Sequence, residues 1–328
     1  MGEAIARANS NVALAKYWGK RDEALNLPYT GSISVTMAGL TTTVRTAFRS
    51  DLAEDLVVTS GKRLEGAAAH QIAAFLDLVR GRVRSKTYAE VEMHSDFPIA
   101  AGLASSASTY AALALAATTA LGLVLSPQEL SILARRGSGS AARSVFGGFV
   151  EWLPGEAGDG SDSYAVQLAP PEHWDIGIVV AITDEGRKRV GSREGMSQAV
   201  KGSPFFPAWL ASHDADLEAI RRGIMDRDLP LVGETAEHNC LKMHAVSLAA
   251  RPPLVYWTPA TVAVIHRVRE LREAGLEAYC TIDAGPQVKI LCPMAQRAAV
   301  AAAIEPVPGV HRLLRSAPGA GVELVDNL

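Results

Sequence analysis

Two adjacent serines, Ser105 and Ser106, lie in the stretch FPIAAGLASSASTY, which runs from Phe97 to Tyr110 and is otherwise built of small residues. A Pro and a Gly punctuate its start, and the Ala/Leu-rich run behind it reads as a buried helix. A loop feeding a helix N-terminus leaves several backbone N–H groups unpaired at the positive end of the helix dipole, which suits a polyphosphate. Without bulky side chains the phosphate can reach the backbone. Ala101, Gly102, Leu103, Ala104, Ser105 and Ser106 are therefore candidates for a phosphate cradle. No Gly-Lys-Ser/Thr follows and the glycine spacing is wrong for a dinucleotide fingerprint, so neither standard phosphate motif applies. A second reading stays open: a small-residue helix packed closely on a sheet.

Other residues with chemical potential lie far apart in the chain. Lys16 and Lys20 are four apart in VALAKYWGKRD, the spacing of one helical face, with Tyr17 and Trp18 between them. Taken alone, the segment favours a solvated basic edge beside a packed aromatic. In SGSAARS, Ser138 to Ser144, the glycine and hydroxyls can wrap an anion, and Arg143 offers a planar fork for carboxylate or phosphate. Asp283 precedes an Ala-Gly-Pro turn, where it either caps the turn or stands rigidly at the mouth of a site. Glu234 and His238 have helical spacing but no third ligand, which favours a packed polar face over a metal pair.

The 328 residues exceed one ordinary core, so two lobes are expected, and 48% hydrophobic with 20% charged residues describes an ordinary globular protein. A net charge of −3 with no long basic run argues against nucleic acid. Three scattered cysteines suit a reducing cytoplasm better than a disulfide framework. The start MGEAIARANSN has no apolar signal core, and the run Ala111 to Leu125 is short for a bilayer, so no membrane role is expected.

The elements that must carry these groups read as follows. Strands are expected at Ser32 to Phe48 (a pair), Val57 to Ser60, Tyr88 to His94, Phe146 to Leu153, Ile176 to Ile182, Glu277 to Ile282 and Val288 to Cys292. Helices are expected at Ala67 to Val79, after the capping box Ser126-Pro127-Gln128-Glu129, and at Pro204 to Ala211, Ala215 to Met225, Leu229 to Leu248 and Pro259 to Ala274. The domain boundary is placed near Asp184, giving lobes 1–183 and 184–328.

The segments AxxN-VALAKYWGKRD (from Ala8), FPIAAGLASSAS, GSGSAARSVFGGFVEW, SREGM, HNCLKMHA, PPLVYW and TIDAGPQVKIL, in this order and covering most of the chain, resemble the mevalonate diphosphate decarboxylase family of the GHMP kinase superfamily. The resemblance implies an α+β fold with a ribosomal-protein-S5-like N-terminal lobe and a ferredoxin-like C-terminal lobe, the active site lying in the cleft between them. It implies ATP as co-substrate, Mg2+, a small-molecule substrate and a homodimer. The reaction would phosphorylate the C3 hydroxyl of a 5-phosphorylated mevalonate, after which phosphate and CO2 depart. By the same resemblance Asp283 is the base or orienting group beside that hydroxyl, Lys16 its partner and Arg143 the cation for the C1 carboxylate. Tyr17, Trp18, Gly19, Lys20, Ser138, Gly139, Ser140, Ser192 and Arg193 would bind the substrate, with Lys62 a weaker candidate. The Ala101 to Ser106 loop and Lys188 would hold ATP phosphates, and Ser106 would also touch Mg2+.

Three departures from the family pattern bear on the substrate. Thr30-Gly31-Ser32 stands where the family usually has Asn-Ser-Ser, Gly191-Ser192 where Ser-Ser is common, and Gln287 where Asn is usual. Loss of two hydroxyls keeps mevalonate 5-phosphate open as the substrate, giving isopentenyl phosphate, whereas Lys20 and Arg193 argue for the diphosphate. A mevalonate 3-kinase without decarboxylation and a non-catalytic anion-binding protein are further alternatives, neither of which explains Lys16, Arg143 and Asp283 together.

Overall fold

Two long antiparallel strands, Glu3–Ala15 and Ser32–Arg49, form the spine of the N-terminal lobe. The second, expected as a strand pair, is one continuous strand: Gly39 at φ +75° allows a bend, residues 32–35 pair with Phe149–Trp152, and residues 42–49 pair with Tyr88–Ser95. The expected helical face at Lys16 and Lys20 is absent. Pairing carries the first strand through Ala15, Gly19 turns the chain at φ +98°, and Lys20 opens a short ribbon with Leu27–Pro28. The computed structural model describes residues 2–97, 105–186 and 189–328.

The helix Ser105–Ala120 lies on this sheet between the helices Gly66–Val83 and Pro127–Gly137. Its face is mostly alanine, and Ala107, Ala111, Ala114 and Ala117 are buried, so the backbone sits close to the strands. The close-packing reading of this stretch therefore holds, and its N-terminal serines reach a cavity. The capping box is formed, with Ser126 accepting from the Glu129 N–H and Pro127 at the first helical position.

In the second lobe a four-stranded sheet places Ile176–Ile182 between Val288–Pro293 and Arg312–Ser316, with Tyr279–Ile282 on the outer side of Val288–Pro293. All seven residues of Ile176–Ile182 are buried, as a strand covered on both faces requires. Val179 and Ala181 face the helices Pro259–Glu273 and Arg297–Ile304. Ile178, Val180 and Ile182 join Val12, Leu14, Ile33 and Val35 of the first lobe in one shared core. By its pairing, this strand belongs to the second lobe's sheet. The chain then returns: Glu323–Leu324 pairs with the first strand, and Pro318 bridges Met37.

The helices expected at Pro204 to Ala211 and Ala215 to Met225 are one, Phe206–Asp226. The polar Ser212-His213-Asp214 looks like a break, but His213 is fully buried and its Nε2 bonds the Gly31 carbonyl at 2.9 Å. Leu229–Leu248 runs as expected, with Asp228 as its N-cap. The three cysteines are free and buried. Among the described residues no helix is long and apolar enough to cross a membrane.

Candidate active site

At the seam of the two lobes lies a cavity of about 450 Å3. The strand end at Lys16 to Lys20, the N-termini of the helices Ser105–Ala120 and Ser192–Gly202, the turn 137–140, the short helix Ala141–Ser144 and the Asp283 turn all meet there. Among the described residues its charged lining is Lys16, Lys20, Arg143 and Arg193 against the carboxylate of Asp283. A cationic hollow in a chain of net charge −3 is built for an anion.

Asp283 stands between two ammonium groups. Lys16 Nζ donates to Oδ1 at 2.8 Å and Lys289 Nζ to Oδ2 at 3.0 Å. The lysine side chains are 2% and 1% exposed, the Asp283 side chain 22%. Burial alone would raise the pKa of this carboxyl, but the two ammonium groups prevail and hold it well below the usual carboxylate range. Lys16 also donates to the Ala13 carbonyl at 2.7 Å, and its backbone N–H to Asn239 Oδ1 at 2.8 Å. Asn239 is held in turn by Asp216 at 2.6 Å, which pairs with Lys242 at 2.6 Å.

Arg143 is 2% exposed, and its fork is aimed by three side chains: Nε to Ser34 Oγ at 2.9 Å, Nη1 to Ser32 Oγ at 2.5 Å and Nη2 to Asn11 Oδ1 at 3.2 Å. Burial lowers its pKa to about 10, with Asp283 opposing, so it stays cationic at neutral pH. At the other end of the cavity, burial and then repulsion from Arg193 bring Lys20 down to about 8. Asn26 Oδ1 accepts from Lys20 Nζ at 2.5 Å, and its amide caps the Arg135 and Arg136 carbonyls. The Tyr17 hydroxyl and the Trp18 indole N–H are buried with no hydrogen-bond partner among the described residues, and both residues line the cavity. Orphaned polar atoms in such a place fit a polar ligand.

Ser105 and Ser106 open the buried helix onto the cavity, and Ser106 Oγ lies 3.2 Å from Ser138 Oγ, itself 3.3 Å from Ser140 Oγ. A Cβ at Gly139 would come within 2.8 Å of the Tyr17 ring and 2.9 Å of Trp152, so the glycine lets these walls close. Among the described residues no group of three or more His, Cys, Asp or Glu could hold a metal ion. A divalent cation would have to be held largely by phosphate oxygens, to which Ser106 can add a hydroxyl.

Of the residues singled out in the sequence, Lys16, Tyr17, Trp18, Lys20, Ser105, Ser106, Ser138, Gly139, Ser140, Arg143, Ser192, Arg193 and Asp283 all line this cavity. Gly19 does not; a Cβ there would meet the Phe206 ring at 2.8 Å, so its part is to turn the chain. Lys62 is exposed on a short hairpin away from the cavity. Ala101, Gly102, Leu103, Ala104 and Lys188 lie outside the described residues. Glu234 and His238 are exposed on their helix. The sequence reading missed Asn11, Asn26, Asn239 and Lys289. Asn11, Asn239 and Lys289 had a signal, each sitting within a segment that carries the family resemblance, although Lys289 by itself reads as an ordinary outward residue of a strand.

Residues 8–165 match the family model described as diphosphomevalonate decarboxylase-like N-terminal domain, and residues 178–314 that of the mevalonate 5-diphosphate decarboxylase C-terminal domain. The chain belongs to the diphosphomevalonate decarboxylase family. The diphosphomevalonate decarboxylase of Candida albicans is 33% identical over 98% of this chain and 97% of its own, and that of Homo sapiens 35% over 85% and 74%. The crystal structure of mevalonate diphosphate decarboxylase from Staphylococcus aureus superposes with a TM-score of 0.94 at 39% identity, covering 99% of this chain and 98% of that one. A structure of MDDEF in complex with MVAPP, AMPPCP and magnesium gives 0.93 at 38%, covering 99% of each. The two-lobed α+β architecture is thus the GHMP kinase fold of this family.

Against the diphosphomevalonate decarboxylase pattern, two of the three departures turn out to lie away from the cavity. Thr30 and Gly31 are buried under the helix Phe206–Asp226, where the Gly31 carbonyl accepts from His213 and a Cβ would meet the Trp152 carbonyl at 3.2 Å. Gln287 is fully buried; its side-chain oxygen accepts from the Thr183 N–H at 2.6 Å and its amide donates to the Asp184 carbonyl. It ties the end of Ile176–Ile182 to the turn carrying Asp283. Gly191 alone of the three lines the cavity.

Proposed function

We propose that the chain is an ATP-dependent decarboxylase that converts mevalonate 5-diphosphate and ATP to isopentenyl diphosphate, ADP, phosphate and CO2. The observation that carries this reading is one cavity holding an ionised Asp283 braced by Lys16, a buried Arg143 fork, and a helix N-terminus lined with serines. Relatives named for this reaction, and a structure of one with MVAPP, an ATP analogue and magnesium, support it.

Each group then has a task. The N–H groups and hydroxyls at Ser105 and Ser106 take the nucleotide phosphates at the positive end of the helix, and magnesium bound through those phosphates neutralises their charge. Asp283 faces the C3 hydroxyl. Held far below neutral pH in pKa, it is a weak base, so it orients the O–H and takes the proton late, as the C3 oxygen bonds to phosphorus. Lys16 offsets the charge that gathers at that oxygen. Arg143, aimed by Ser32, Ser34 and Asn11, holds the C1 carboxylate so that its C–C bond can break when the C3 phosphate leaves. Lys20, Arg193, Ser192 and the Tyr17 hydroxyl take the 5-diphosphate end, and their concentration of positive charge favours the diphosphate over the monophosphate. A homodimer in a reducing cytoplasm completes the reading, which the three buried free thiols fit.

The test is steady-state ADP release with ATP, Mg2+ and, separately, mevalonate 5-diphosphate, mevalonate 5-phosphate and mevalonate, with CO2 measured alongside. The diphosphate should win by a large ratio of kcat/KM. A preference for the monophosphate would point to Gly191 and overturn the diphosphate assignment, and ADP without CO2 would leave only a kinase.

A further inference from the structure

The reacting carboxylate has a second ammonium against it, from a residue that is not among the described lining of the cavity. Lys289 Nζ donates to Asp283 Oδ2 at 3.0 Å, the oxygen opposite the one held by Lys16. The side chain is 1% exposed and belongs to a strand paired on both sides, opposite Thr281 and Val180. Of the two lysines only Lys16 lines the cavity among the described residues.

An ammonium in the middle of a sheet is a costly choice for stability, since apolar side chains of similar volume often serve as well or better than a buried ion pair. We propose that Lys289 is a positioning residue for the reaction, which clamps Oδ2 of Asp283 from behind and so fixes the plane in which Oδ1 meets the substrate hydroxyl. The inference rests on the proposed decarboxylase reading. It also accounts for charge: Lys16 alone would have to keep the carboxylate ionised whenever substrate draws on it, and the second ammonium maintains that state. The other groups near Asp283 do not supply this. Arg143 carries its charge on the far side of the bound carboxylate, as the reading places it. On the helix Leu229–Leu248, burial and then Lys16 press His244 to about 3, leaving it neutral, and burial raises the Cys240 thiol so that it stays protonated.

The experiment compares wild type, Lys289→Met, Asp283→Asn and the double variant in kcat, KM and pH profile. It also follows the Asp283 carboxyl carbon by 13C NMR in the substrate-free protein. Lys289→Met should lower kcat by about 100-fold, the scale of a small misplacement, with the KM values for ATP and mevalonate 5-diphosphate nearly unchanged. Its acid limb and the Asp283 resonance should both shift upward by about 1–3 pH units. In the Asp283→Asn background the same substitution should cost little more. Wild-type turnover in Lys289→Met, or an equal loss in both backgrounds, overturns the proposal. Should the Met variant not fold, Lys289→Arg and Lys289→Gln replace it: Arg should keep the acid limb in place while Gln moves it, and identical behaviour of the two overturns the proposal. Absence of wild-type turnover with every mevalonate phosphate would defeat the functional reading alone, because the carbon resonance still reports on Lys289.

Discussion

Replacing Asp283 by Asn should damage stability in a way whose pH dependence reveals the cause. The substitution is nearly isosteric but takes away the shared counter-charge of Lys16 and Lys289, whose side chains are 2% and 1% exposed. Removing one partner of a buried ion pair costs about 3–5 kcal/mol. Because the Asp283 side chain is 22% exposed to the cavity, water screens part of this and the lower end, about 3 kcal/mol, is the expectation. At roughly 2–4 °C per kcal/mol for domains of this size, the Tm should fall by about 6–12 °C. The sign of the pH effect follows from Lys289. Burial lowers its pKa in the native protein, with Asp283 opposing. Without Asp283 it falls further, so the folded variant binds fewer protons than the unfolded chain once pH passes that value, and its stability rises with pH. The gap to wild type should therefore narrow as pH rises toward the ordinary lysine pKa of about 10.4. Calorimetry on both proteins across this range is the assay. Turnover should fall by several orders of magnitude while nucleotide affinity changes little. A variant that melts with wild type at every pH would refute the claim that the carboxylate compensates two buried charges, and collapse of ATP binding would refute its assignment to the reacting centre.

Arg143→Lys keeps the charge but cannot reproduce a fork aimed by Ser32, Ser34 and Asn11, so kcat should drop by about 100-fold or more; near-normal turnover would remove Arg143 from the carboxylate. Lys20, brought down to about 8, is protonated below that pH and neutral above it, so KM for the diphosphate should rise through this range at constant kcat, and Lys20→Arg should abolish the rise. Gly139→Ala places a methyl 2.8 Å from the Tyr17 ring and 2.9 Å from Trp152, and should cost about 1–3 kcal/mol in thermal unfolding while raising substrate KM; an unchanged KM would separate Tyr17 from the anion site.

Local chemistry explains which elements were legible. Ser126, Pro127 and Glu129 announce a helix start wherever they occur in this order, and seven apolar residues bounded by polar ones at Ile176 to Ile182 announce a covered strand. Lys16 and Lys20 misled because four-residue spacing is only a helix signal if the backbone is free to coil, and here strand pairing through Ala15 and the turn at Gly19 decide otherwise. His213 misled because its partner is a carbonyl 182 positions away, invisible to any local window. The charged members of the site were found by residue type and motif, but the groups that hold them were harder to see. Asn26 looks like a turn residue, and Lys289 looks like the solvent side of a strand, until folding brings Asp283 against it.

The return of the chain to its first sheet bears on how the protein is made. Ribosomal synthesis ordinarily lets an N-terminal unit fold as it emerges. Here the first lobe lacks pieces that are supplied from far along the chain: Gly319 bonds the Thr36 carbonyl at 2.8 Å and accepts from Gly148 at 2.9 Å, and Glu323 pairs with Arg7. Its apolar floor also awaits Ile178, Val180 and Ile182. Until residues 317–324 are out of the exit tunnel, the edge of the first strand stays open to wrong partners, the hazard that chaperones meet. Among the described residues the cavity draws its lining from Asn11 through Ala284, so its cationic side chains meet the Asp283 carboxylate only once both lobes have come together.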